Sequence, residues 1–429
     1  MKDEELREMA GLCAKCGTCR SVCSLYPYRK TENAVARGKV RILESALDGE
    51  NRDLSAVQEA IADCLLCGRC ARECPNQVQY EELMMRARAR LADKVGGLAW
   101  KRILFGKILP SVVAMKAMRK AGALAQRLFL SKLPTGSGLY YRFPVELIGS
   151  GRTLPVLPSK GFIESLARSQ AVSGDVMLFA GCVFNHIYPE ICGAAYETMK
   201  VCGRPVSVFR DAACCGLPAL VSGDRKSAIV NIEMNLKKMR AASPETIVFP
   251  CGSCLLMFKR NITTMFKEGD PLYEDAVFVA ERAVDYAGFL LDSGIAGQLP
   301  DPEASFQGDG ETGYHDSCHL TGTLGKGEAP RKVLARVVGK AFKEMEGAGL
   351  CCGLGGTFNI RDYPTSARIG ENKICVAAKG GTKTIAAACS GCVLQLRDMA
   401  ARVDPSMKVV HIAELVRHSL FKDNKQGSL

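Results

Sequence analysis

Eighteen of the 21 cysteines in this chain fall into four ordered groups, and thiols at such spacings bind metal. The first group is Cys13-x2-Cys16-x2-Cys19-x3-Cys23. The second is Cys64-x2-Cys67-x2-Cys70-x3-Cys74, followed by Pro75. In runs of this kind three cysteines hold one [4Fe–4S] cube and the fourth reaches across to a second cube. The spacing therefore predicts two cubane clusters, one on Cys13, Cys16, Cys19 and Cys74, the other on Cys64, Cys67, Cys70 and Cys23.

Cysteines two residues apart in a tight loop can turn their thiolates to one side. The loop's N–H groups then offset the cluster's negative charge. Gly17 and Gly68 hold the same place in each run, where a side chain is expected to crowd the cube. Ser24 replaces the proline that follows the fourth cysteine in the other run, a change in loop exit and not in ligand set. The competing metal is zinc, which takes two separated CxxC pairs in preference to four cysteines in eleven residues.

The other two groups have five cysteines each: Cys182, Cys214, Cys215, Cys251 and Cys254, then Cys318, Cys351, Cys352, Cys389 and Cys392. Matching members lie 136 to 138 residues apart, which marks a duplication. Five exceed the four thiolates of a zinc site or a cube. Adjacent cysteines cannot easily serve one iron but can serve neighbouring irons of a larger or open cluster. The alternative is a reduced thiol cluster, or a zinc site with spare thiols exposed to oxidation. Gly216 and Gly353 follow the two Cys-Cys pairs, where a missing side chain would let backbone approach the metal. Cys192, Cys202 and Cys375 belong to no motif and read as small core residues.

The elements that position these groups follow from local pattern. RGKVRILESALDGE and LSAVQEAIADC, between the two runs, read as helices. DVMLFAGC, TGYHDSC, ETIVFPC and KTIAAAC read as short strands ending at a cysteine, and GDRKSAIVNIEMNLKKMR and YPTSARIGENKICVAAK as helices. The expected architecture is α/β. An α-helical ferredoxin-like two-cluster domain spans 1–93, a basic connector 94–174, a first Cys-Cys-Gly (CCG) lobe 175–296, a linker 297–313 and a second lobe 314–421. The two lobes form a pseudo-symmetric duplication with ligands at strand C-terminal ends.

The 429 residues are 47% hydrophobic and 24% charged, which excludes a disordered or fibrous chain. The net charge is +12, and ten of the Lys and Arg residues lie between Lys94 and Arg142 with no acidic residue among them. That stretch reads as a surface for an anionic membrane or an acidic partner, or as a solvated linker. Its few aromatics and the lack of any reader motif argue against nucleic acid. The first ten residues lack a signal peptide's apolar core, and no window supplies a spanning helix. The expected address is the cytoplasm, with peripheral contact on the inner face of its membrane. Disulfides are rare there, which favours metal-bound thiols.

Two CxxCxxCxxxC runs followed by two CCG units resemble the iron–sulfur subunits of glycolate and D-lactate oxidases or dehydrogenases. HDSCHL (315–320) and CCGLGGTFNIRDYPTSARIG (351–370) belong to the wider superfamily. That superfamily also holds the iron–sulfur subunit of anaerobic glycerol-3-phosphate dehydrogenase and the catalytic subunit of heterodisulfide reductase. The resemblance implies one or two further clusters, of the noncubane [4Fe–4S] type, on the two five-cysteine sets. No GxGxxG follows a strand, so no flavin or nicotinamide fingerprint is visible. Clusters pass single electrons, whereas a 2-hydroxy acid surrenders a hydride. The implied function is electron transfer from an FAD-containing dehydrogenase subunit to a quinone or redox-protein acceptor, with no catalytic residue of the hydride step on this chain. The alternatives are a thiol–disulfide reductase working at a CCG cluster and the glycerol-3-phosphate dehydrogenase subunit. His315 and His319 flank Cys318, where they tune the site or orient its loop.

Overall fold

The computed structural model describes residues 3–97, 99–133, 140–142, 152–167, 174–302 and 310–421. The N-terminal region is helical, as expected. Asp3–Gly11, Ala36–Leu47, Leu54–Ala62 and Tyr80–Val95 are its longer helices, with the two between the runs where the pattern put them. Leu6, Val40, Leu43, Val57, Ile61, Leu83, Ala87 and Leu91 form a core of their own. One turn, Thr18–Val22 or Arg69–Arg72, follows the left-handed glycine of each run.

The connector is more built than a linker. A π-helical turn, Leu104–Ile108, precedes Pro110, and a long helix, Val112–Phe129, follows it. Three strands, β1 (Ser131–Leu133), β2 (Tyr140–Arg142) and β3 (Thr153–Pro155), then form a small antiparallel sheet that sequence pattern did not anticipate. Phe105 is buried against the first lobe, where Asn231 Nδ2 donates to its carbonyl at 2.8 Å. Cys214 N–H donates to Leu109 O at 3.1 Å, so the connector also holds the first Cys-Cys loop.

The first lobe is a parallel sheet of β4 (Val176–Leu178), β5 (Val206–Val208), β6 (Thr246–Phe249) and β7 (Ala283–Asp285), in the order β5-β4-β6-β7. The second has β8 (Glu311–Tyr314), β9 (Thr382–Ala387) and β10 (Lys408–His411), in the order β10-β9-β8, also parallel. These strands read as near-continuous apolar runs because helices cover both faces. The fourth strand of the second lobe has shrunk to one parallel bridge, Thr312 to Phe342, and Phe342 stands 136 residues after Val206 of β5. The topology is thus duplicated along with the cysteines. β8 starts at Glu311, so the end of the segment read as linker already belongs to the sheet, while 303–309 lie outside the described residues.

The lobes exchange helices across their seam. Pro189–Met199 of the first packs on Ile412–Leu420 of the second, and Tyr286–Asp292 of the first on Glu328–Val338 of the second. One continuous apolar core runs through both. Leu25, Ala34 and Leu65 of the N-terminal domain join Phe358 and Ile369 of the second lobe in a smaller cluster. These contacts set the N-terminal cysteines against the second lobe.

Candidate functional site

The first run closes on itself through left-handed residues. Lys15 and Gly17 have φ of 58° and 93°, and Leu66 and Gly68 repeat them at 52° and 69°. Cys13, Cys16, Cys19 and Cys74 line one cavity, together with Arg37 and Tyr80. Tyr80 Oη lies 3.1 Å from Cys13 Sγ. Cys23, Cys64, Cys67 and Cys70 line a second cavity, beside the buried Lys39. The structure thus brings each foursome to one cavity, with Cys70 reaching the wall of the first as well. Each glycine also has a charged side chain beside it. A Cβ on Gly17 would sit 2.5 Å from Arg37 Nη1, and one on Gly68 would sit 2.2 Å from Glu81 Oε1. The adjoining space belongs to charged side chains, and the positive φ favours glycine.

Arg88 fixes the second run. Its buried guanidinium donates to the carbonyls of Ala62 at 3.0 Å, Cys64 at 2.6 Å and Val221 at 2.5 Å, tying the loop to the first lobe. Burial pushes its pKa down to about 10. Lys39 is likewise pushed down by burial. Lys39 lines the second cavity, where a cation would offset a cluster's negative charge.

In the first lobe Cys182 Sγ lies 3.8 Å from Cys214 Sγ. Cys214, Cys215, Cys251 and Cys254 are all buried in the core of this lobe. The left-handed Gly181 keeps room here, since a Cβ would stand 3.2 Å from Cys254 Sγ. Cys182 packs against the same core, so the first-lobe five lie together. In the second lobe Cys352, Cys389 and Cys392 are buried likewise. Cys318 lines the same cavity as Cys351, Cys352 and Cys392, with His315 and Arg72. Gly216 and Gly353 have φ of 86° and 94°, but their missing side chains face protein and not metal. A Cβ would meet Ala228 O at 2.9 Å or Ser366 O at 2.4 Å, on the long helices Arg225–Ala242 and Tyr363–Lys379. Close packing of the Cys-Cys loop on a helix is what glycine permits.

The two lobes meet at their CxxC loops. Gly252 N–H donates to Ala388 O at 2.9 Å. Ser390 Oγ lies 3.0 Å from Cys251 Sγ, and Ser253 Oγ lies 3.0 Å from Cys389 Sγ and 2.8 Å from His319 Nδ1. His411, at the end of β10, holds the Pro250 carbonyl at 3.0 Å through Nε2. Its other ring nitrogen accepts from Ala413 N–H at 3.1 Å, and burial pushes its pKa down to about 4, so the ring is neutral.

Several of these residues carry no sequence signal. Ser253, Ser390 and His411 matter because of the fold. Lys373 could have been found by aligning the copies: it stands where the first lobe has Asn235. Its Nζ donates to Gly347 O and Ala348 O at 2.9 Å each, and burial pushes its pKa down to about 8. Of the three motif-free cysteines only Cys192 is a core residue; Cys202 is half-buried and Cys375 exposed, on the outer face of its helix.

Thiols gathered in fours and fives, with cations and N–H groups beside them, fit thiolate-bound iron–sulfur clusters. Comparison with known proteins agrees. The 4Fe-4S dicluster domain matches residues 9–78, and the cysteine-rich domain termed CCG matches 176–259 and 312–397. The chain is 25% identical over 417 residues to the probable glycolate oxidase iron-sulfur subunit of Bacillus subtilis (strain 168), covering 94% of this chain and 92% of that protein. It is 30% identical to lactate utilization protein A 2 of Bacillus cereus (strain Q1), over 58% of this chain and 99% of that protein. It is 32% identical to lactate utilization protein A of Bacillus pumilus (strain SAFR-032), over 56% of this chain and 98% of that protein. The chain belongs to the family of iron–sulfur subunits of the glycolate oxidase and lactate utilization type, built from a dicluster domain and two CCG domains.

Proposed function

We propose that this chain carries electrons singly from a flavoprotein subunit that oxidises D-lactate or glycolate to a quinone or redox-protein acceptor. The observation that carries the reading is a sequence of shared walls. Cys70 lines both N-terminal cavities. Cys67 lines the second of these and also the cavity of the second lobe. The CxxC loops then meet at the lobe seam, where Cys251 Sγ and Cys389 Sγ each lie 3.0 Å from a serine hydroxyl of the other lobe. Four candidate cluster sites therefore follow one another, from the first run to the second run, the second lobe and the first lobe.

In this reading Cys13, Cys16, Cys19 and Cys74 hold one cube and Cys64, Cys67, Cys70 and Cys23 the other. Cys318, Cys351, Cys352, Cys389 and Cys392 hold a cluster in the second lobe. Cys182, Cys214, Cys215, Cys251 and Cys254 hold one in the first. Bound clusters supply one-electron steps, which matches a partner flavin that collects the hydride pair and releases it stepwise. The protein's part is to space the sites, exclude water and set each potential through nearby cations and N–H donors.

The long connector helix Val112–Phe129 supplies the contact with an anionic membrane. It buries Arg119 and Gln126 and exposes Val113, Leu124, Leu128 and Phe129, beside Lys120 and Arg127. A helix turned outward with its apolar side, next to basic residues, has the pattern of interfacial binding. No helix among the described residues is long and apolar enough to cross a membrane.

The test uses anaerobically purified protein mixed with a flavoprotein of that specificity. Adding D-lactate or glycolate is expected to bleach the cluster absorbance and bring up the EPR signals of reduced cubes. Clusters that respond to dithionite but not to substrate with flavoprotein would contradict the proposal.

A further inference from the structure

The duplicated lobes differ at one buried position beside their cysteines. His315 follows β8 in the second lobe, and the matching residue of the first, 136 positions earlier, is Phe179. Phe179 is packed among aromatic rings, with Phe249, Phe258 and Phe209 at centroid distances of 5.2, 5.3 and 6.0 Å. It has nothing to offer a metal. His315 is 1% exposed, and neither ring nitrogen has a conventional hydrogen-bond partner. A buried imidazole left in that state loses the hydration of two polar atoms without replacement.

What the ring faces explains why it is there. One nitrogen of His315, Cys352 Sγ and Cys392 Sγ all lie within 4.8 Å of one another, and all three residues are buried. That separation suits three ligands of a single tetrahedral metal ion. The backbone holds the ring in place: His315 N–H donates to Ala386 O of β9 at 2.9 Å, so its position is set by the sheet and not by a mobile loop.

We propose that His315 is an iron ligand of the second-lobe cluster, sharing one iron with Cys352 and Cys392, and that the two CCG clusters of this chain are therefore chemically unequal. The inference rests on the cluster assignment under Proposed function. His315 adds a neutral nitrogen to the five thiolates that both lobes supply, so the two CCG clusters differ in ligand set and in reduction potential.

The test is pulsed EPR on the full-length, anaerobically prepared protein, grown with natural or ¹⁵N-labelled histidine, in the redox state that makes the CCG clusters paramagnetic. Iron content is measured on the same samples. The expected result is a strongly coupled nitrogen that changes with the label. It is lost in His315→Phe, which copies the first lobe, while that variant keeps its other clusters and its second-lobe potential shifts. His315→Cys, which puts a thiol in place of the ring, should keep full iron content and lose the nitrogen coupling. Full iron content without a directly bound histidine nitrogen, or with a coupling that survives in His315→Phe, overturns the inference alone. Iron sufficient only for the N-terminal cubes overturns the cluster assignment and this inference with it.

Discussion

Ser390 of the second lobe faces Cys251 of the first. Its hydroxyl lies 3.0 Å from the sulfur, and its backbone N–H donates to the same atom at 3.4 Å. A residue of one CxxC loop thus tunes a thiolate of the other. Hydrogen bonds to cluster sulfurs raise the potential. One charge-assisted bond is worth roughly 1.5 kcal/mol, or about 60 mV for a one-electron couple. Ser390→Ala is expected to lower the first-lobe potential by tens of millivolts and leave the cubes unmoved. A redox titration followed by EPR checks this, and an unchanged first-lobe potential would show that the hydroxyl is idle.

The crosswise ligation makes a sharp prediction about Cys23. It sits in the first run, yet it lines the cavity of Cys64, Cys67 and Cys70. Cys23→Ser should damage the cube of the second run and spare the cube of its own. EPR with iron analysis distinguishes the two; loss of the cube on Cys13, Cys16 and Cys19 instead would reverse the assignment.

Gly353 carries a steric demand that any side chain violates. Its φ is 94°, and a Cβ would stand 2.4 Å from Ser366 O. The left-handed conformation alone costs an L-residue roughly 1–2 kcal/mol, and the clash adds to it. Gly353→Ala should lower the melting temperature of the CCG region by about 5 °C or more. Calorimetry that finds wild-type melting would remove the packing explanation for this glycine.

The outward face of the connector helix predicts salt-sensitive binding to vesicles containing anionic lipid. Leu124 and Leu128 are 59% and 66% exposed, so changing them does not disturb the core. Burying each leucine contributes roughly 1.5–3 kcal/mol, so Leu124→Glu and Leu128→Glu should each weaken partitioning by about tenfold or more. Cosedimentation unaffected by either change would assign this face to another partner.

Much of this was legible from the sequence because cysteine spacing is a local property. The two runs, the duplicated five-cysteine sets and the strands and helices around them stand where pattern puts them. What pattern could not supply depends on chain segments meeting in space. Ser253 and Ser390 have an ordinary composition and become sulfur partners only because the lobes dock at their CxxC loops. The fourth strand of the second lobe is missed because one bridge at Phe342 needs no periodic segment. The connector's small sheet uses strands of three residues, too short to show an alternation. Gly216 and Gly353 stand out in the sequence, but the helices they pack against do not. Cys375 looked like core because helix periodicity alone does not say which face is covered.

The central claim is that one chain holds four clusters in series. Iron and sulfide analysis of the anaerobically purified protein, with Mössbauer spectra of ⁵⁷Fe-grown material, tests it most directly. The account predicts about sixteen irons per chain, with spectral components beyond ordinary cubes. About eight irons, all in cubes, with zinc or free thiols in the CCG lobes, would contradict it.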